Sequence, residues 1–360
     1  MKICIIGNGL ASLVLARILA KKNIKIDILY NKKNINKNSS RTIGITNENL
    51  KFLESNFKLR GLTKNPINEI KIFNEGNLNK EILNFQKKNF NQFYMLEYSK
   101  IYNYFEKSTK NLKNIKFLKN AKLNFSDFFL NKYNLIIDTS LKNQFSRKFF
   151  FNKIEKEYSS NAHVTIIKHK KIKNNIARQI FTRNGPLAFL PLSDTRTSIV
   201  FSLINKKKTF NIDEIKNLIK KYNTNYKILS FEKFENSNLK FSLLRKYFHK
   251  NVLAFGDKLH TIHPLAGQGF NMTLRDIQSF AKILEKNIKN GLILDKSILS
   301  EFEDDIKHKN IIFASGIDFI HDFFMFQNYI PNIISNKFFK LINKSKIIPN
   351  YGLIFANKGL

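Results

Sequence analysis

KICIIGNGLASLVLARILAKKNIKIDILY, residues 2–30, parses into strand, turn, helix and strand. Lys2–Ile6 is an apolar run of strand length, and Gly7–Gly9 is a tight turn. From Leu10 to Lys22 the residues Leu10, Leu13, Val14, Ala16, Arg17, Ile18 and Ala20 recur at helical spacing. Ile24–Tyr30 alternates apolar and polar as a second strand. A βαβ unit of this kind predicts a mostly parallel sheet. Between strand and helix, GNGLAS at 7–12 has the setting of a dinucleotide fingerprint. Gly7 permits the turn and Gly9 lets a pyrophosphate approach the backbone, where the helix N-terminus offers free N–H groups. Ser12 takes the third position, where a small residue is needed. The acidic residue expected at the end of the second strand is absent; Tyr30 and Asn31 stand there. From this stretch alone, a nucleotide cradle and a βαβ turn without ligand are both open readings.

The bulk numbers are compatible with one large domain or two. The chain has 360 residues, 43% hydrophobic, too apolar for a disordered class. A formal net charge of +35 would attract nucleic acid, anionic lipid or phosphorylated ligands. Its basic runs, such as KHKKIK at 168–173, are short and scattered, and each reads as a solvated face rather than a nucleic-acid stripe. Cys4 is the single cysteine, in an apolar run, so neither a disulfide framework nor a thiolate metal site is expected. Gly7-Asn8-Gly9 interrupts the first apolar stretch, which argues against a secretion signal. The expectation is a soluble, cytoplasmic protein.

Further along, helices are expected at Asn47–Phe57 and Tyr98–Leu112, and strands at Ile67–Phe73 and Asn134–Asp138. Ala162–Lys168, Ala177–Thr182, Gly185–Pro191 and Thr197–Leu203 are strand-like at even spacing, which predicts an antiparallel insert. A last buried strand, Val252–Phe255, leads into GDKLHTIHPLAGQGFNMTLRD at 256–276. There the chain gathers three glycines, one proline, two histidines and two aspartates, against 13 glycines and 6 prolines overall. Asp257, at a strand's carboxyl end, is placed to accept hydrogen bonds from a polyol. Pro264–Gly269 is a turn of low bulk opening a helix from Phe270. That helix's N-terminus suits a ring that becomes anionic on reduction, as a flavin does.

This stretch resembles the second flavin motif of the class A flavoprotein monooxygenases, GDAAHxxxPxxGQGxNxGxxD. Gly256, Asp257, His260, Pro264, Gly267, Gln268, Gly269, Asn271 and Asp276 fall in place; Lys258 and Leu259 replace two alanines, and Thr273 a glycine. Residues 162–202, with GPLAFLPL, and RTIGITNENLKFL at 41–53 are similar to the ubiquinone-biosynthesis ring hydroxylases of that class, with Arg41 at their flavin-adjacent arginine. Their middle signature, DGxxSxxR, falls on residues 140–147, where Arg147 alone matches.

The resemblance implies an α/β protein: a Rossmann-like FAD-binding domain, an inserted, mainly antiparallel β-sheet substrate domain, and C-terminal helices. It places residues 1–66, 94–147 and 245–325 in the first, 67–93 and 148–244 in the second, and 326–360 in a helical segment. It implies FAD as cofactor and NAD(P)H as co-substrate. Oxygen would pass through a peroxyflavin to the ring of a polyprenylated phenol. The cofactor-binding residues would be Gly7, Gly9, Ser12, Tyr30, Arg41, Arg147, Gly256, Asp257, Gly267, Gln268, Gly269 and Asn271. His260 and Pro264 would lie near the flavin, and no metal is called for. Several alternatives stay open. His260 and His263 are ring-adjacent bonders or plain structural polar residues, and GPLAFLPL is core strand or substrate wall. Ile330–Ile342, with its lysines, packs on the body or lies on a membrane surface, peripheral to the inner face. The altered 140–147 segment also admits a non-catalytic partner in a quinone-biosynthesis complex, and a related flavin enzyme with another apolar substrate is a third reading.

Overall fold

The computed structural model describes residues 1–30, 39–86, 90–119, 130–141, 143–204, 210–292 and 295–327. Asn31, Lys142 and the expected helix over 330–342 lie outside the described residues. Helices are α1 (Leu10–Ala20), α2 (Asn47–Asn56), α3 (Tyr98–Lys110), α4 (Gln144–Lys148), α5 (Ile212–Tyr222), α6 (Gln268–Lys289) and α7 (Lys296–Gln327).

The N-terminal unit seeds a six-stranded sheet. Its order is Phe248–His249, Val252–Ala254, Leu135–Asp138, Lys2–Ile6, Lys25–Tyr30 and Ile115–Lys119. Every neighbouring pair is parallel except the first. The central strands are buried along nearly their whole length, as in sheets covered on both faces. Register decides where chemistry can sit: Ile6 pairs Asp138, and Asp138 pairs Ala254. Three strands therefore end level, and the loops that follow them, from Gly7, Thr139 and Phe255, emerge side by side. Ligands of open α/β sheets bind at that edge.

A second sheet runs Glu235–Leu244, Lys153–His169, Arg196–Ile204, Gly185–Ser193, Ile176–Thr182, Glu69–Asn74 and Leu83–Gln86, with His260–Thr261 added beside Glu235–Leu244. It is antiparallel apart from the pairing of Ile176–Thr182 with Glu69–Asn74. Leu187, Phe189, Ile199 and Phe201 pack against Ile215, Ile219 and Tyr222 of α5. Side chains alternate across a strand, so Ala188, Leu190 and Val200 face the other way, where Leu190 meets the cluster of Phe93 and Met95. Phe189 thus belongs to core, while its neighbours Ala188 and Leu190 lie on the face that packs against Ile67, Phe93 and Met95. Thr42–Thr46, Phe93–Glu97 and Asn65–Ile67 form a small third sheet between the two.

The expected single strand Ile67–Phe73 divides at Asn68. Ile67 pairs Phe93 in the small sheet, whereas Asn68 N–H donates to Asn175 (3.0 Å) and the next strand joins the large sheet. The strand read at Ala162–Lys168 begins at Lys153, since its charged first half pairs with Glu235–Leu244 instead of burying apolar residues. α5, absent from the sequence reading, starts at an Asn211–Glu214 capping box.

Candidate functional site

The two glycine bends meet. A Cβ on Gly256 would lie 3.3 Å from the Ala11 methyl, in the first turn of α1. Both motifs therefore meet at the level ends of the central strands. Gly9 is exposed there, and a Cβ added to it would touch nothing within 4 Å among the described residues, which leaves room for a ligand. α1 begins at Gly9 without a side-chain cap and has no acidic residue in its first turn. Its leading N–H groups are thus available to an anion.

Asp257 is exposed, and its carboxylate has no hydrogen-bond partner among the described residues; its carbonyl accepts from the Thr261 hydroxyl (2.9 Å). The exposed Arg41 guanidinium lies over the Tyr98 ring at 4.8 Å. Burial pushes the Tyr98 phenol above its ordinary value; Arg41 opposes this and the Asp257 charge adds to it. Tyr98 stacks on Tyr102, whose hydroxyl accepts from Asn8 Nδ2 (3.4 Å). Tyr98 and Tyr102 escaped the sequence reading, although their i, i+4 spacing on α3 was visible. Tyr30 ends its strand edge-on to Phe117, at 6.2 Å. The acid of that strand, Asp27, is buried and bound to Lys2 (2.6 Å) and the Tyr133 hydroxyl (2.8 Å), so it is no ribose ligand.

The turn before α6 forms the far end. Gly267 has φ +63°, caps α6 without a side-chain bond, and lies so close to Gly44 that a Cβ would come 3.4 Å from the Gly44 nitrogen. Asn271 pins this approach. Its Nδ2 donates to Gly44 O (2.9 Å) and Gly267 O (3.1 Å), and its Oδ1 accepts from Thr46 N–H and Asn49 Nδ2 (both 3.0 Å). Both donors and both lone pairs are spent. The Asn271 side chain thus holds the turn against Gly44, Thr46 and Asn49. Gln268 differs: it is 4% exposed, and its Oε1 has no partner among the described residues. Gly269 and Pro264 flank the same turn, half-buried.

Three more expected residues behave differently. The Ser12 hydroxyl is buried on Thr139 Oγ1 (2.7 Å), which also donates to Ile6 O (2.9 Å). Arg147 is exposed in a recess of about 340 Å³ with Gln144, Lys148 and Phe149, whereas Gly7 has Thr139, Ser140 and Ser12 as neighbours. His260 faces the core: its Nε2 bonds Asp276 Oδ2 (2.6 Å), and Asn310 Nδ2 donates to Asp276 Oδ1 (3.1 Å). The buried His263 ring lies 5.1 Å from Tyr158 and 4.3 Å from His321, and burial holds its pKa well below the usual imidazole value. Asp318, His321 and Asp322 on α7 bring three metal-type ligand atoms together, but the Lys156 ammonium bonds both carboxylates (3.1 and 2.5 Å) as their counter-charge.

The uncapped helix starts, the open Gly9, the free Asp257 carboxylate and the orphaned Gln268 oxygen suit a long ligand with a diphosphate, a polyol and a polar ring. FAD fits that description. Residues 157–295 match the family model described as FAD binding domain. The fold is that of FAD-dependent monooxygenases. Pseudomonas putida p-nitrophenol 4-monooxygenase PnpA superposes with TM-score 0.76 at 13% identity, covering 99% of this chain and 98% of that one. Klebsiella pneumoniae HpxO, complexed with FAD, gives 0.74 at 12%, with the same coverage. In sequence, the chain is similar to the mitochondrial ubiquinone biosynthesis monooxygenase COQ6 of Schizosaccharomyces pombe, 24% identical over 56% of this chain and 52% of that protein. It is also similar to the 3-demethoxyubiquinol 3-hydroxylase of Escherichia coli, 29% identical over 42% and 40%. The aligned part spans about half or less of these relatives' length.

Proposed function

We propose that this chain binds FAD between its two glycine bends and, with NAD(P)H and O2, hydroxylates the aromatic ring of a polyprenylated phenol in ubiquinone biosynthesis. The observation that carries the reading is the close approach of Gly256 to Ala11, which brings the two bends together. The FAD binding domain match and the likeness to two ubiquinone-pathway monooxygenases support it. The expected division of the chain is kept as part of the proposal, with 1–66, 94–147 and 245–325 holding cofactor and 67–93 and 148–244 covering substrate.

Bound FAD supplies the activation of O2 and the oxygen transfer. The chain's own residues bind, orient and shield. N–H groups at the start of α1 take the diphosphate, and Asp257 takes hydroxyls of the ribityl chain. N–H groups at the start of α6 stabilise negative charge on the ring edge they face. Pro264, Gly267 and the strand Thr42–Thr46 close the turn against water. The substrate ring would lie on the face of the large sheet opposite α5. There Ala162, Val164, Ala188, Ser198, Val200 and Ser202 form a floor of small side chains, tied to the small sheet by a Thr42–Ser198 hydroxyl bond (2.8 Å). A prenyl tail lives in lipid, so the substrate would be met at a membrane surface. Among the described residues no helix is long and apolar enough to cross a membrane.

The test is complementation of quinone-deficient hosts, with the accumulated intermediate identified by mass. Restored quinone supports the proposal and names the ring carbon. One observation favours a second reading: Arg147, the remnant of the middle signature, is exposed in a surface recess with Gln144, Lys148 and Phe149. FAD binding without NAD(P)H oxidation, phenolic lipid present, would select the non-catalytic partner.

A further inference from the structure

Lys258 is an unusual residue to find where it is. Its ammonium is 1% exposed, and the Asp138 carboxylate it faces is 0% exposed. Taking two charges out of water costs several kcal/mol per ion, and an apolar pair of the same volume would fill the space. What the ammonium adds is direction. It bonds Asp138, where its strand ends, and the Ser146 hydroxyl (2.7 Å) in α4, and it rests against the Phe150 ring at 5.6 Å.

The segment after Asp138 is organised around that contact. The Asp138 carboxylate also accepts from Ser140 N–H (3.0 Å) and from Asn143 Nδ2 (2.8 and 2.9 Å). Asn143 in turn caps α4 through Ser146 N–H (2.9 Å). Thr139, held between Asp138 and Ser140, covers the glycine turn; its hydroxyl meets Ser12 and Ile6, and a Cβ on Gly7 would collide with it. One chain of bonds thus runs from Lys258, beside the free Asp257, through Asp138 to the wall of Gly7. Neighbouring residues of the second motif point to opposite sides: Asp257 to the cleft, Lys258 beneath it.

We propose that Lys258 is a positioning residue that ties Asp138 to Ser146 of α4, holds Thr139 against the glycine turn, and so sets the shape of the diphosphate end of the proposed cleft. The proposal rests on the FAD reading above. In it, Lys258 and the altered 140–147 segment are one departure from the family pattern, not two.

The test measures FAD affinity by flavin fluorescence, and the melting temperature without FAD, for the wild type, Lys258→Met, and Lys258→Met/Asp138→Asn. The single variant should lose both affinity and stability, since it strands a buried carboxylate. The double variant should recover most of the melting temperature, because no unpaired charge remains, while FAD stays about tenfold weaker, within the range of coupling between contacting groups. Wild-type FAD affinity in either variant would overturn the proposal, leaving the pair a stability element. So would failure of the double variant to fold. A wild-type protein that binds no FAD would instead overturn the reading of the cleft itself.

Discussion

Asp257 and His260 stand three positions apart in one motif and have opposite surroundings. Asp257 is exposed with a free carboxylate, while His260 is buried on Asp276. Asp257→Ala should weaken FAD binding about tenfold to a hundredfold, the range of a lost charged hydrogen bond, and leave the apo melting curve unchanged. His260→Ala should do the reverse. It leaves the Asp276 carboxylate with Asn310 and should cost about 2–4 kcal/mol of stability, read by denaturant titration, while the bound flavin spectrum stays the same. Sequence gave the motif membership of both residues but not their directions. A 3.6-residue rhythm says which face of a helix is apolar, yet His260 lies on a two-residue strand where no rhythm exists. Lys258 was legible as a substitution; its partner 120 positions away was not.

Elements carry the site because their ends are level. The βαβ start, the parallel strands and α6 were all legible, since long apolar runs and glycine punctuation report local conformation directly. The division at Asn68 and the length of Lys153–His169 were not, because partners far along the chain decide them. One such long-range contact predicts a pH response. Arg196, on the large sheet, bonds Glu97 at the start of α3 (2.7 Å) and Glu232 (3.0 Å). Burial alone would raise the Glu97 carboxyl, but the bonds from Lys100 and Arg196 outweigh it and hold it below its usual value. A depressed carboxylate contributes stability above its unfolded pKa and loses it as pH falls through the folded one. Arg196→Ala should therefore lose less stability than the wild type as pH falls from about 5 down through and below the ordinary glutamate value of about 4.3, measured by chemical denaturation at each pH. The substrate floor makes a separate prediction. Val200→Phe adds bulk at a half-buried position and should lower kcat/KM about tenfold or more with FAD affinity unchanged; loss of FAD instead would place Val200 under the cofactor.

At the scale of the molecule, the proposed cofactor cleft has Asp257, Arg41 and Tyr98 at its rim, where Arg41 lies over the Tyr98 ring. Ligand that binds the folded state alone stabilises it, by about 2.7 kcal/mol at a hundredfold excess over Kd. FAD should thus raise the melting temperature, and riboflavin, which lacks the diphosphate that α1 is placed to receive, should raise it less. The most direct measurement is FAD titration of the wild type and Gly9→Val, each with its apo melting temperature. Gly9 has φ −71° and ψ 178°, a backbone any residue adopts, and a Cβ there meets nothing within 4 Å among the described residues. The variant should fold with a melting temperature within about 3 °C of the wild type, yet bind FAD about a hundredfold more weakly, a loss of about 2.7 kcal/mol. Equal FAD affinity in the two proteins, or none in either, would contradict the account.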